Sequence, residues 1–291
     1  MSEATQRWQV GDVRITSVVE TQTDGIPPAF FFPDADKALV ARHAWLAPHF
    51  TGEGSTIGLR VQAFVIESAR RTVVVDPCVG NGRTRSVPWW TDQAWPFMER
   101  FRDAGFDPGA VDLVVHTHLH VDHLGWDVHR EGDRWVPTFP RARYLYVGAE
   151  LDGLRSDADP DVPRLRAEVL DPIFDAGLAD VVEPDADLGG GLRLAPTPGH
   201  TPGHASLWLG GRADALVTGD AVVHPLQVAE PDLAFGGDVD IDGARVTRRA
   251  LLSDACDAGA LMLGSHFPTR PGGRLAAEGD GWRFLPLAAE V

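Results

Sequence analysis

The feature of this sequence that most constrains its fold is a cluster of histidine and aspartate side chains in residues 117–125, Thr-His-Leu-His-Val-Asp-His-Leu-Gly. The donors are His118, His120, Asp122 and His123. Burial of such groups without partners would cost on the order of several kcal/mol. A divalent cation removes this cost, because neutral imidazole nitrogen and carboxylate oxygen are good metal ligands. The segment therefore predicts a metal site, and the rest of the chain has to fold around it.

The spacing of these four donors suggests that they serve two ions. His118 and His120 are two residues apart and can point the same way from an extended segment. The adjacent Asp122 and His123 point differently and more naturally serve a second ion. For this motif taken alone, a solvent-exposed histidine cluster is the alternative interpretation.

Three later segments place further donors directly after predicted strands. Residues 197–204 read Thr-Pro-Gly-His-Thr-Pro-Gly-His, and their glycines and prolines fix the backbone around His200 and His204. The other two segments end in Gly219-Asp220 and Ser265-His266. Each segment alone is a weak signal, since a Gly-Asp pair is more often a turn. Together with residues 117–125 they strongly favour a metal centre, because side chains on loops at strand ends commonly form sites.

The remaining pattern predicts a mixture of strands and helices in α/β or α+β layers. Half-buried strands with alternating faces are expected around Val13–Val19 and Val61–Val65, and short buried strands at 72–76, 111–115, 205–209, 216–218 and 260–263. Helices are expected at 34–47 after an Asp34 cap, at 91–104 up to Gly105, at 163–170 with Pro172 ending or kinking it, and at 243–258 between Asp242 and Gly259. No linker divides the sequence, so we expect a single domain over residues 1–291.

Charge and cysteine content restrict the partners and the compartment. The 26 basic and 42 acidic residues give a net charge of −16, which disfavours nucleic acids and anionic membrane surfaces as partners. The two cysteines cannot form a disulfide framework, and the first residues lack the pattern of a signal peptide. No apolar stretch approaches the roughly 18 residues needed to span a bilayer. The expected location is the cytoplasm.

The order His-x-His-x-Asp-His, Gly-His, Gly-Asp and Ser-His resembles the metallo-β-lactamase superfamily over roughly residues 60–270. The resemblance implies an α+β fold, a four-layer αβ/βα sandwich with the metals at one edge of its two sheets. It implies one ion on His118, His120 and His200, a second on Asp122, His123 and His266, and Asp220 bridging both. Asp76 matches a position that supports the ligand loop, and His204 is expected to support the site rather than to be a ligand.

The donor set predicts the metal and the reaction. Five histidines and two carboxylates without a thiolate suit zinc, although Mn, Co or Fe could occupy the same donors. Two adjacent ions can share a water and lower its pKa toward neutrality. The expected nucleophile is this bridging hydroxide, which attacks a carbonyl or a phosphorus atom. Asp220 and Asp122 are the candidate catalytic carboxylates, and Asp220 is expected to keep the ions together and to take a proton as the intermediate collapses.

Two branches of the superfamily give the candidate substrates. N-acyl homoserine lactonases share the seven ligands but usually carry a tyrosine shortly after the bridging aspartate. Here that stretch ends in His224, which could donate instead, and the only tyrosines are Tyr144 and Tyr146. The C-terminal third looks more like the methyl parathion hydrolase branch, which cleaves phosphotriesters. The favoured hypothesis is a lactone or ester hydrolase, with phosphotriester hydrolysis as the alternative and a mono-iron oxygenase as a rival from another class.

Aromatic side chains are the candidates for a pocket that holds an apolar substrate. Trp126 lies three residues after His123 and is the first candidate, joined by Trp89, Phe30 and His224. Most aromatic residues in a chain of this size belong to the core, and that is the alternative for each of them. The run Phe30–Phe32 could instead form a contact in a homodimer.

Overall fold

The computed structural model describes residues 5–68, 70–156, 159–210 and 214–288, which form an arrangement of strands and helices. A seven-stranded mixed sheet has the order β1-β2-β3-β4-β5-β8-β9, and residues 128–137 form a separate hairpin, β6-β7. The strand bounds are β1 Thr5–Val10, β2 Val13–Ile26, β3 Ile57–Glu67, β4 Thr72–Val75, β5 Leu113–Val115, β6 Val128–Glu131, β7 Arg134–Pro137, β8 Arg143–Val147 and β9 Ala179–Val182. Strands β4, β5, β8 and β9 are parallel to one another.

A second seven-stranded sheet contains the remaining strands in chain order. Their bounds are β10 Asp187–Gly189, β11 Leu192–Pro196, β12 Ala205–Leu209, β13 Ala215–Val217, β14 Leu261–Leu263, β15 Gly272–Glu278 and β16 Gly281–Pro286. Within this sheet β13 and β14 are parallel, and helix α8 lies between them in the chain. A parallel pair needs such a crossover connection, because a tight turn joins only antiparallel strands.

The α-helices are short except for the last one. Their bounds are α1 Pro28–Phe31, α2 Lys37–Arg42, α3 Phe97–Asp103, α4 Gly148–Ser156, α5 Val162–Leu165, α6 Asp171–Asp175, α7 Leu226–Ala229 and α8 Ile241–Ala258. A π-helical turn over Arg166–Leu170 connects α5 to α6. Among the described residues, no helix has both the length and the apolar character that crossing a membrane requires.

The chain divides into two compact units, each assembled from separated segments. The first unit takes the chain up to Thr21 and Val61–Glu183, and the second takes Gln22–Arg60 and the chain from Pro184 onward. Each unit has its own hydrophobic core. Valines of β3 to β5 pack with Phe97 and Phe101 in the first core. Phe50, Phe267 and Phe284 form an aromatic cluster in the second. No single linker separates the units, and the prediction of one domain remains a prediction.

The predicted strands are present, but two of them are more buried than expected. Residues Ile15–Glu20 of β2 and Arg60–Ile66 of β3 are buried at every position, although Thr16, Ser17 and Gln62 are polar. The prediction of half-exposed alternating faces was therefore wrong. Both faces of these strands are covered, which the alternation of residue types did not reveal.

Helix ends followed local capping chemistry more closely than the hydrophobic period. Helix α2 starts after Asp36, whose carboxylate accepts from Leu39 N at 2.7 Å, so the predicted Asp34 cap was wrong. Helix α3 begins only at Phe97, after Pro96. Helix α8 begins at Ile241 after the Asp240 cap, two residues before its predicted start, and its predicted end before Gly259 is confirmed by the left-handed Gly259.

Pro172 was predicted to end or kink a helix, but the helical chain continues past it. The chain stays helical from Val162 to Asp175, and Pro172 lies in the first turn of α6. Proline lacks an N–H and so cannot donate the hydrogen bond that an uninterrupted α-helix needs. The π turn immediately before α6 accommodates the missing donor.

Candidate metal centre

The histidine-rich segment lies at the carboxyl end of β5 in the first unit, between loops that follow two neighbouring parallel strands. Asp76 follows β4, and its two carboxylate oxygens each accept a hydrogen bond of 2.8 Å from Thr117, one from the backbone N–H and one from the hydroxyl. Glu150 follows β8 and accepts from Leu119 N at 3.0 Å. The carboxyl ends of parallel strands meet at one sheet edge, so carboxylates from both neighbours of β5 fix this loop.

Within this loop the donor atoms form two pairs. His118 Nε2 lies 3.0 Å from His120 Nδ1, and Asp122 Oδ2 lies 3.6 Å from His123 Nε2. Two ligands bound to one zinc at about 2.0–2.1 Å stand roughly 3.3 Å apart at a tetrahedral angle. Both separations are close to that value. The pairing follows the division of these donors between two ions that the sequence predicted.

The second unit brings the remaining three donors together, with His200 and His266 on either side of Asp220. Its two carboxylate oxygens face different imidazoles: Oδ2 lies 3.5 Å from His200 Nε2, and Oδ1 lies 3.1 Å from His266 Nε2. Asp220 and His266 meet because the parallel strands β13 and β14 end side by side just before them. A carboxylate with one oxygen toward each of two imidazoles is suited to bridge two cations.

Outward contacts of the ring nitrogens indicate which nitrogen of each histidine would be available to a metal ion. Nδ1 of His266 lies 2.8 Å from Arg60 O, and Nδ1 of His200 lies 3.3 Å from a carboxylate oxygen of Asp238. Nδ1 of His118 and of His123 lie at 3.1 Å and 3.0 Å from oxygens of Thr117 and Asp76, respectively. An imidazole whose Nδ1–H is donated to an oxygen presents its Nε2 lone pair to a metal. The donor chemistry therefore fits a metal ion at Nε2 of these four histidines.

All seven predicted ligands belong to groups of three donor side chains that could hold a metal ion: His118, His120, Asp122, His123, His200, Asp220 and His266. Five of them are buried, and His120 and Asp122 are half-buried. The chain thus carries the His/Asp clusters of a metal site.

His204 contacts the candidate ligand Asp220 through the backbone N–H of that residue. Its Nε2 accepts the N–H of Asp220 at 3.0 Å, while Nδ1 lies 2.7 Å from the Thr197 hydroxyl. Both ring nitrogens are thus engaged, which places His204 where a supporting residue is expected. Asp76, in contact with both Thr117 and His123, occupies the corresponding place in the first unit.

Trp126 lies in the core of the first unit. Its ring stacks on Phe97 with centroids 5.5 Å apart, and its indole N–H donates to Glu20 at 2.6 Å. Glu20 also accepts from Val79 N and Gly80 N, so it ties three points of the neighbouring loops together. Burial raises the pKa of Glu20 to about 7. These contacts correct the expectation that Trp126 forms a substrate wall, because its one polar atom and its ring face are both used inside the core.

His224 and the two tyrosines have structural partners too. His224 is buried; its Nε2 lies 3.0 Å from Phe50 O, and its Nδ1 accepts from Leu226 N at 3.1 Å. The hydroxyls of Tyr144 and Tyr146 donate to the backbone oxygen and the carboxylate of Asp127, at 3.0 Å and 2.8 Å. The expectation that His224 donates to a substrate is therefore corrected, since both of its nitrogens hold the fold.

Burial of His224 predicts that its contribution to the stability of the fold decreases in acid. Desolvation lowers its pKa from 6.5 to about 4, so the folded state keeps it neutral where the unfolded chain would bind a proton. The contribution of neutral His224 to the free energy of unfolding is complete above about pH 6.5. It is lost as the pH falls toward 4, by about 3 kcal/mol in total. We expect urea unfolding to show this loss in the wild type and not in His224→Asn. The raised pKa of Glu20 acts in the opposite direction, so the quantity to compare is the pH 7 to pH 5 difference between the two proteins; equal differences would contradict the prediction.

Phe30 and Trp89 are exposed, at 57% and 50% of their surface. Phe30 is in α1 and packs edge-on against Phe31, whereas Phe32 is fully buried. Trp89 is in a 3-10 turn over Pro88–Trp90. Their roles in substrate binding or in a dimer remain predictions.

Several residues that support the candidate ligands or their loops were not predicted from the sequence. Asp238 and Arg248 support His200, while Glu150 and Glu20 brace the loops of the first unit. No motif marks these residues, because each acts through a partner distant in sequence. A buried acidic residue reveals its role only once its partner is known.

Comparison with protein-family models matches residues 56–262 to the metallo-beta-lactamase superfamily. Among curated proteins, the N-acyl homoserine lactonase AttM of Agrobacterium fabrum is 30% identical over 178 residues, which are 53% of this chain and 61% of that protein. AttM of Rhizobium radiobacter is 30% identical over 133 residues, 40% of this chain and 45% of that protein. The matches thus span about half of the length of these relatives.

Solved structures show the same fold at low sequence identity. AidC, described as a dizinc quorum-quenching lactonase, superimposes with a TM-score of 0.81 at 17% identity and full coverage of both chains. The hydrolase AbOPH of the beta lactamase superfamily gives 0.81 at 20% identity, also with full coverage. The predicted α+β metallo-β-lactamase fold is confirmed.

Proposed function

Because the chain belongs to the metallo-β-lactamase superfamily, we propose that it is a hydrolase with two zinc ions that opens lactones or cleaves esters. His118, His120 and His200 would hold one ion, and Asp122, His123 and His266 would hold the other. The observation that carries the proposal is the orientation of Asp220, whose two oxygens face His200 and His266 separately. A carboxylate in that orientation serves a pair of ions better than a single one.

When bound, a pair of zinc ions supplies a hydroxide nucleophile near neutral pH and polarises the oxygen of the substrate. The residues of the chain then have distinct tasks. Asp220 would bridge the two ions, and its backbone is held in place by the hydrogen bond from its N–H to His204. Asp122 would be the carboxylate ligand of the second set, and either carboxylate would take the proton of the nucleophile and return it to the leaving oxygen.

Lactones and esters are the proposed substrates because the curated relatives are named lactonases and because the proposed ligands are histidines and aspartates without a thiolate. Neither Tyr144 nor Tyr146 is available to hold the carbonyl oxygen, since both hydroxyls are bonded to Asp127. This chain therefore departs from the tyrosine-dependent pattern. We propose that carbonyl polarisation in this chain would not use a tyrosine, which favours activated or strained substrates such as lactones and aryl esters.

The proposal predicts a specific order in a kinetic screen of zinc-loaded protein. Acyl homoserine lactones, simple lactones, an aryl ester, a phosphotriester and a β-lactam are compared by kcat/KM. A lactone or the aryl ester is expected to exceed the chelator-treated control by at least about 100-fold, because removal of the ions removes the nucleophile. Greatest activity on the phosphotriester would support the phosphotriesterase alternative instead, and no activity above the control would refute the hydrolase.

Elemental analysis separates this proposal from the oxygenase rival. About two zinc ions per chain are expected for the seven-ligand arrangement. One iron per chain, with activity lost on its removal, would support a mono-iron oxygenase. The measurement needs no knowledge of the substrate, so it stands apart from the screen.

A further inference from the structure

In the second unit, a buried ion pair lies directly behind one proposed metal ligand. Asp238 is almost fully buried, with Oδ1 3.3 Å from His200 Nδ1 and Oδ2 3.3 Å from Arg248 Nη2. The Phe235 N–H also donates to Oδ2, at 3.3 Å. Guanidinium, carboxylate and imidazole thus form a continuous chain that ends at the nitrogen opposite the ligand atom of His200.

Arg248 is fixed by hydrogen bonds to the backbone of two separate segments, one next to Asp220 and one at residues 231–233. It is fully buried in α8 and donates from Nε to Ala221 O at 2.9 Å, the residue after Asp220. Its Nη1 donates to Pro231 O and Leu233 O at 2.9 Å and 3.0 Å. One guanidinium therefore holds the backbone beside Asp220 and the carboxylate behind His200.

The backbone also locks Asp238 against the His200 loop. Val239 N donates to His200 O at 3.1 Å, and Asp240 N donates to Gly199 O at 2.9 Å. Gly199 has a φ of +134°, and a Cβ there would lie 2.3 Å from Ala244 N. Only glycine allows the loop to approach α8 this closely, so the distance between Asp238 and His200 is set by the fold.

We propose that Asp238, held by Arg248, is a positioning residue for the metal ligand His200 and controls the affinity of the first ion. The inference rests on the proposed function and extends it. By accepting the Nδ1–H, the carboxylate fixes the tautomer and ring orientation of His200 and increases the basicity of Nε2. Burial lowers the pKa of the Arg248 guanidinium, and Asp238 opposes that shift.

The test measures metal affinity directly. Zinc binding to the wild type, Asp238→Ala and Asp238→Asn is measured by competition with a chromophoric chelator, and cobalt-loaded proteins are examined by visible absorption. One of two ions is expected to bind about 10–100-fold more weakly in Asp238→Ala, while the other is unchanged. Asp238→Asn is expected to lose less zinc affinity, because its amide oxygen can still accept the hydrogen bond from His200 Nδ1. The cobalt spectrum should change for the weakened site, which a role in stability alone would not cause.

The residue next to Arg248 on α8, Arg249, provides a matched control through its own ion pair. Arg249 forms a two-bond ion pair with Asp232, at 2.6 Å for each bond, but this pair is on the surface. Asp232→Asn is expected to keep both affinities and the cobalt spectrum of the wild type.

The outcomes distinguish this inference from the function on which it rests. A wild type that binds two ions, with unchanged affinity and spectrum in Asp238→Ala, would overturn the positioning role and leave the proposed function standing. A wild type that binds no ion would overturn both. If Asp238→Ala fails to fold, the isosteric Asp238→Asn decides, and wild-type affinity and spectrum in that protein would count against the inference.

Discussion

Replacing Asp220 by alanine is expected to reduce kcat/KM by more than about 100-fold and to lower the zinc content below two ions per chain. The physical reason is that the side chain faces two ligands at once, with Oδ2 near His200 and Oδ1 near His266. Loss of an outer partner of a ligand already costs about 10–100-fold, and the loss of a bridging ligand should exceed this. Zinc per chain and turnover are measured on the same preparation.

Two variants separate the role of Asp220 from a general effect on folding. Asp220→Asn keeps the shape but offers one amide oxygen, so it should retain more metal than Asp220→Ala. Asp242→Ala removes a carboxylate that is 90% exposed and pairs with Arg245, and it should keep full activity and two ions. An active Asp220→Ala protein with two ions would refute the bridging role.

Substitution of Gly125 by alanine is expected to destabilise the fold by more than about 4 kcal/mol, a range reached only by severe packing defects. A Cβ at this position would lie 1.7 Å from Val79 O and 2.0 Å from Val79 C, and both are backbone atoms. Gly125 cannot move away easily, because its N–H donates to Cys78 O at 2.6 Å and its carbonyl accepts from the buried Arg83. Denaturant unfolding of the purified variant measures the effect.

Such a loss would remove a large part of the 5–15 kcal/mol that stabilises a typical domain. We therefore expect Gly125→Ala to accumulate poorly and to melt many degrees below the wild type. Gly153→Ala is the matched control, because a Cβ on this residue of α4 meets nothing within 4 Å and alanine favours the helix by about 1 kcal/mol. A Gly125→Ala protein as stable as that control would show that the loops can separate at little cost.

Donor chemistry and local stop signals were the parts of the structure that the sequence predicted well. Residues 117–125 indicated metal ligation because no apolar environment tolerates such a cluster without partners. The strands before Asp76 and His116 were predicted from the β-branched runs at 72–76 and 111–115, whereas β11, which precedes His200, was not predicted. Gly259 ended α8 as expected. These signals are local, since each depends on residue type or on spacing within a few positions.

Predictions about individual aromatic and histidine side chains were less successful, because they depend on contacts between distant parts of the chain. Trp126 follows the ligand loop in sequence, yet it bonds to Glu20, 106 residues away. His224 follows Asp220 but lies against Phe50, at a separation of 174 residues. Proximity in sequence to a ligand did not determine whether a side chain faces the interior or a substrate.

The sequence by itself determined which atoms can bind metal, the order in which they occur and the family to which the chain belongs. Only the tertiary structure decided which nitrogen of each histidine is directed to the metal, because that choice depends on the oxygen behind the ring. For His200 the oxygen comes from Asp238, 38 residues along the chain, and for His266 from Arg60, at a separation of 206. The residue pattern encodes donor type within a short window, whereas strand pairing and loop packing bring these distant oxygens into contact.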